Sequence, residues 1–268
     1  MLLSTVFVLR PVEDCWVPMT LGKAIHACVM QMVRRIEPAL SERLHSVARH
    51  KPFTISPLQG PFELRGQRFY LKHDREYWLR ITSLEPELSH LFLTFEDHPP
   101  RFLNLLEATF TVIQVSSQPR DHSWAQRSTY AELHNLLQKH EAAPKVCLLF
   151  ASPTAFRSQG QTVLLPLPRL VLSSLWERWQ HYAPYQLDVS WLEELIAGID
   201  ISRYKLKTQM MDFRSYRQLG FIGECEFGAR REVSEEGLSL LRMLIEFALF
   251  AGVGYKTTMG LGQTRRVG

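Results

Sequence analysis

The sequence predicts an α+β protein made of two successive β-α-β-β-α-β halves, with antiparallel sheets and helices on one face. Three observations carry that expectation. The 268 residues suit two domains of ordinary size, each able to bury its own core. Hydrophobic residues make up 46% and charged residues 22%, which is a globular composition, neither disordered nor fibrous. Finally, strand-length apolar runs and helical apolar stripes follow one another in the same order twice along the chain.

In the first half, residues 2–10 read as a buried strand, and Thr20 can cap a helix whose apolar side runs Ile25, Cys28, Val29, Met32, Val33 and Ile36. Pro38 ends that helix and starts a short one reaching His45. Strands are expected at 52–56, 67–72 and 76–82, the last two joined by HDRE as a hairpin turn. Ser83 can cap a helix running to about Phe95, and ATFTVIQVSS closes the half as a strand. This element order is that of the ferredoxin-like, or RRM-like, unit.

The second half repeats it. KVCLLFASP reads as a strand, LPRLVLSSLWERWQHY as a helix, 199–209 and 218–230 as a strand pair, SEEGLSLLRMLIEFALF as a helix capped by Ser234, and the last residues as a strand. The expected division is an N-terminal domain over 1–120, a linker with a helix of its own over 121–144, and a C-terminal domain over 145–268. The halves share no repeat in sequence, so the duplication rests on element order.

Several function classes are disfavoured. The apolar start meets Arg10 and Pro11 before a signal-peptide core could finish, and no stretch reaches the roughly 18 apolar residues of a membrane helix. A cytoplasmic protein with no membrane partner is expected. Cys15, Cys28, Cys147 and Cys225 are scattered, with no CxxC pair, and read as small core residues. Without an HExxH motif, a Cys/His spacing or a cluster of acids, neither a metal nor any other cofactor is expected, and no GxSxG elbow suggests a serine hydrolase.

Net charge is +4 and the isoelectric point about 8.9, a mildly basic balance. Its distribution is more informative. Residues 200–231 hold Arg203, Lys205, Lys207, Arg214, Arg217, Arg230 and Arg231 against four acids, and the segment from Ala251 onward holds Lys256, Arg265 and Arg266 against none. A polyanionic partner would meet this basic surface, although each residue taken singly also suits a solvated face.

The strongest local signal is AGVGYKTTMGLGQTRR, with Gly252, Gly254, Gly260 and Gly262 following an apolar helix. Glycines permit positive φ, and the exposed N–H groups of such a loop can cradle phosphates. The spacing fits neither a Walker loop nor a dinucleotide fingerprint. A helix cap at Gly252 followed by a bulged strand accounts for the pattern equally well. His45, at the expected C-terminus of a helix whose dipole favours a protonated imidazole, and Lys51 six residues later form a second candidate cluster. A lone histidine is more often an ordinary surface or core residue.

Three stretches together resemble a known family. EPALSERLHSVARHKPFTISPLQG, FIGECEFGARR and FAGVGYKTTMGLGQTRR are similar to segments of the CRISPR-associated endoribonuclease that cuts repeat RNA into guide RNAs, within the RAMP superfamily. The resemblance spans both halves and implies tandem ferredoxin-like domains. It also implies metal-independent cleavage, in which the RNA 2'-hydroxyl attacks its own phosphate and leaves a 2',3'-cyclic phosphate and a 5'-hydroxyl.

Residue by residue, His45 matches the catalytic histidine and Lys51 the lysine, and His26 is the nearest candidate for a third group from the first helix; a buried histidine beside Cys28 is the alternative. Gly252, Gly254, Lys256, Gly260, Gly262, Arg265 and Arg266 would touch RNA, as would Arg203, Lys205, Lys207, Arg214 and Arg217 on the strand pair. Tyr204, Phe213 and Tyr216 interleave with these charges and could stack bases. The implied partners are CRISPR repeat RNA, as precursor and mature guide, with other effector-complex subunits and a second copy of the chain as further candidates. Two competing readings remain: an inactive RNA-binding subunit of a CRISPR effector complex, and a general RNA-binding protein outside such systems.

Overall fold

The computed structural model describes residues 1–47, 50–66, 68–139, 143–213 and 216–268. The chain divides into two compact units. One comprises Met1–Arg127, Met211–Gln218 and Thr258–Gly260, and the other Ser128–Met210, Leu219–Thr257 and Leu261–Gly268.

In the first unit the elements are β1 (Leu2–Pro11), β2 (Cys15–Pro18), α1 (Gly22–Ile36), α2 (Pro38–Ser46), β3 (Phe53–Ile55), β4 (Glu63–Arg65), β5 (Arg68–Leu71), β6 (Tyr77–Ser83), α3 (Pro86–Asp97), β7 (Phe102–Leu105) and β8 (Ala108–Ser116). The main sheet has the order β3-β6-β1-β8-β7, every neighbour antiparallel. Period-2 alternation turns Leu3, Phe7 and Leu9 of β1 to the core, where they meet Ile25, Val29 and Val33 from the apolar stripe of α1. Phe53, Tyr77, Phe92 and Phe110 complete this core with at most 1% exposure.

The second unit begins at the end of β9 (Gln126–Ser128) and contains α4 (Tyr130–His134), β10 (Lys145–Thr154), β11 (Phe156–Ser158), β12 (Gln161–Val163), α5 (Pro168–Tyr182), α6 (Val189–Gly198), most of β13 (Ile199–Asp212) and of β14 (Arg217–Ala229), α7 (Glu235–Ala251) and β15 (Thr264–Val267). Its sheet order is β13-β14-β10-β15. In both sheets the order is second, third, first, fourth strand of a β-α-β-β-α-β unit, the ferredoxin-like topology that element order predicts. Trp179 of α5 packs edge-on against Tyr130 and Phe247, each at 5.4 Å, and so joins α4, α5 and α7.

Some local expectations need correction. The turn at HDRE exists, with the Arg75 N–H bonded to the Lys72 carbonyl at 3.1 Å, but it does not make a hairpin. β5 pairs with β2 and β4 in a separate small sheet, whereas β6 pairs with β3 and β1. The reason is a pair of contacts with distant residues. Asp14 accepts from the Tyr70 hydroxyl and the His73 N–H, holding the strand before the turn beside β2, while Tyr77 just after it is drawn into the core.

Thr20 does not cap α1, because its hydroxyl accepts the Asp212 N–H at 3.0 Å and the helix begins at Gly22. Likewise Ser83 ends β6, and α3 starts at Pro86, whose fixed φ suits a first helical residue. Ile36 is 45% exposed at the end of α1, and of the four cysteines only Cys225 is buried. β7 and α6 are elements that the sequence pattern does not announce.

Ser234 caps α7 as expected, its hydroxyl accepting the Gly237 N–H at 3.1 Å. Ser234→Ala should therefore lower stability by about 1 kcal/mol in a denaturant titration, since it leaves a helix N–H unpaired. No helix among the described residues is long and apolar enough to cross a membrane.

Candidate active site

Three segments of the first unit meet around β3. α1 brings His26, whose neighbours Ile25 and Val29 are locked in the core, so the imidazole emerges half-buried at the edge of the helix–sheet layer. There it stacks on Phe53 of β3, ring centroids 5.6 Å apart at 23°. Its Nδ1 lies 3.0 Å from the carbonyl oxygen of Thr258, in the glycine-rich segment.

α2 brings His45 in its last turn. Leu40 and Leu44 anchor one side of this helix in the core, and Arg43 bridges Glu85 and Glu87 at 2.8 Å each on the other, so the exposed His45 projects from a fixed scaffold. His50, at φ 55°, is followed by Lys51 just before β3. The half-buried ammonium of Lys51 donates to the carbonyl of Leu44, the residue before His45, at the negative end of α2.

The three groups share one electrostatic field. Burial holds the His26 imidazole below its ordinary pKa of 6.5, and the positive charges of Lys51 and His45 push it further the same way, against the opposing pull of the Thr258 carbonyl. Burial also lowers the pKa of Lys51. The outcome is an imidazole biased toward its neutral form beside the Lys51 ammonium. Such a set can accept a proton at one point, donate one at another and hold developing anionic charge between them. Among the described residues no group of three or more His, Cys, Asp or Glu could hold a metal ion.

The expected RNA-contacting residues are spread over several elements. Arg203, Lys205 and Lys207 are exposed on β13, an edge strand, and their i, i+2, i+4 spacing puts them on one face of it. Arg217 is tied to Asp212 at 3.2 Å, and Arg266 to Glu246 at 2.8 Å, so both are partly neutralised. Lys256, at φ 57°, lies over the Tyr255 ring at 5.4 Å, and Arg265 lies on β15. Arg214 is outside the described residues.

Gly252 caps α7 at φ 64°. Gly254, Gly260 and Gly262 also have positive φ, and a Cβ on Gly262 would stand 2.1 Å from the Val253 carbonyl oxygen. The chain's own close approaches thus account for glycine at this position.

Some participants had no clear signal in the sequence. Thr258 acts through its backbone carbonyl, which carries no residue signature. Lys23 lies three residues before His26 on α1, and its ammonium sits 5.3 Å over the ring of Tyr216, which itself stacks on Phe213 at 5.0 Å. The helical i, i+3 spacing to His26 could have marked Lys23.

Comparison with known proteins adds a family to this geometry. The family model described as "CRISPR Cas6 N-terminal domain" matches residues 1–135, and "CRISPR-associated endoribonuclease Cas6" matches residues 148–264. A CRISPR-associated endoribonuclease Cas6 from Streptococcus thermophilus is 26% identical over 133 residues, covering 49% of this chain and 54% of the relative. The corresponding protein of Mycobacterium tuberculosis is 29% identical over 117 residues, covering 43% of this chain and 37% of the relative. These alignments thus span about half or less of the curated relatives' length. A Thermus thermophilus Cas6, solved as a product complex, superposes over 100% of both chains with a TM-score of 0.81 and 26% identity.

Proposed function

Because this chain belongs to the Cas6 family of CRISPR-associated endoribonucleases, we propose that it cuts the precursor transcript within its repeats by attack of an RNA 2'-hydroxyl on the adjacent phosphate. What supports this reading is that His26 stacks on Phe53, two residues after Lys51, while Lys51 bonds the carbonyl of the residue before His45.

The nucleophile belongs to the substrate, so the protein needs to supply proton transfer, alignment and charge stabilisation. His26, kept neutral, takes the proton of the 2'-hydroxyl as the 2'-oxygen forms its bond to phosphorus. His45, as imidazolium, gives its proton to the 5'-oxygen as the bond from phosphorus to that oxygen breaks. Lys51 holds the negative charge that grows on the non-bridging oxygens. The products are a 2',3'-cyclic phosphate and a 5'-hydroxyl, and no step calls on a metal ion. Arg203, Lys205 and Lys207 neutralise phosphates of the bound strand, so affinity falls with added salt.

The purified protein should cut a matching repeat RNA in the presence of EDTA, and a 2'-deoxy substitution upstream of the scissile phosphate should abolish cleavage while sparing binding. Tight binding without a cut, across several repeats, would favour an RNA-holding subunit instead. Cleavage of the 2'-deoxy substrate would discard the mechanism.

A further inference from the structure

We infer that the glycine-rich segment positions His26 chemically: the Thr258 carbonyl, carried by a loop whose next residue packs on Gly22, locks the ring in the tautomer protonated on Nδ1 and leaves Nε2 as the one nitrogen able to take a proton. The inference rests on the proposed role of His26 in proton transfer, and it adds a requirement that role does not by itself contain.

A carbonyl oxygen can only accept a hydrogen bond, so the 3.0 Å contact requires the proton on Nδ1 whether the ring is neutral or charged. Histidine in water ordinarily favours the other tautomer, with the proton on Nε2. An unguided His26 would therefore spend most of its neutral population in a form whose Nε2 cannot act as a base. Stacking on Phe53 fixes the ring plane but leaves both ring-flip states available. The carbonyl supplies the missing bias.

The loop that carries this carbonyl is in turn held by shape, through its next residue. A Cβ on Gly22, the first residue of α1, would stand 2.0 Å from the Met259 carbonyl oxygen and 2.9 Å from its carbon, so the carbonyl one residue beyond Thr258 lies directly on the helix backbone. Phe213 closes the same spot, its Cε1 at 3.4 Å from that point. Gly260, at φ 92°, then turns the chain away beside Pro57 and Met211. Helix propensity gives no reason for glycine at position 22, since alanine is the better helix former. Its presence is explained by the approach of the loop.

The test reads the tautomer directly. In 15N NMR of the intact protein, with His26 assigned by comparison with H26Q, neutral His26 should carry its proton on Nδ1. Gly22→Ala, which the helix itself would tolerate, should push the 258–260 peptide away. It should return His26 to a largely Nε2-protonated population and lower kcat about tenfold, with KM for repeat RNA little changed.

An Nε2-protonated His26 in the native protein would overturn the inference, and that measurement stands even if the Gly22 variant fails to fold. So would a Gly22→Ala protein that keeps the native kcat. A protein with Nδ1-protonated His26 that cuts no repeat RNA would uphold the lock and overturn the proposed function.

Discussion

His45→Ala is expected to slow single-turnover cleavage of repeat RNA by about 100-fold or more while leaving RNA affinity within a few-fold, the loss typical of a missing general acid or base. His45 is exposed at the end of α2, and the helix is held by Leu40, Leu44 and the Arg43 pairs, none of which the substitution touches. Melting of the variant should therefore match the native protein to within about 0.5 kcal/mol, as for ordinary surface positions. A rate within threefold of native would remove His45 from the chemistry. A substrate with a better 5'-leaving group should recover part of the loss if His45 supplies the proton to that oxygen.

Lys51→Ala should cost about 3 to 4 kcal/mol of transition-state stabilisation, or roughly 10²- to 10³-fold in rate, if the ammonium faces the non-bridging oxygens. The same variant shifts the pH profile in a direction that can be worked out. His26 must be neutral to act as a base, so activity falls as pH drops through its pKa, which lies below the ordinary 6.5. Lys51 contributes to that depression because a neighbouring cation disfavours a second positive charge. Removing it raises the His26 pKa, and the acid limb of the log kcat profile should move to higher pH. An acid limb that stays in place would mean that the two groups are not coupled. Since Lys51 also donates to the Leu44 carbonyl, a melting curve should accompany the kinetics to separate loss of the α2 cap from loss of the charge.

Much of the fold was legible because the main elements have local causes. The apolar stripe of α1, the Ser234 cap of α7 and the alternation of β1 each depend on residues within a few positions of one another. The errors came where a distant group took over a local one. Thr20 looks like a helix cap until Asp212 claims its hydroxyl, 192 residues away. HDRE looks like a hairpin until Asp14 holds one side of it and the core draws in the other.

The candidate site divides in the same way. His45 and Lys51 are six residues apart, a spacing that a short motif can record. His26 enters from another helix, and its carbonyl partner from a segment 232 residues further on. Side-chain identity and short-range order determined that this chain would make two ferredoxin-like units and carry a histidine–lysine pair beside a strand. Only the tertiary structure decided that His26 faces the Thr258 carbonyl through Nδ1, because that depends on a backbone group that every residue possesses and no sequence pattern distinguishes.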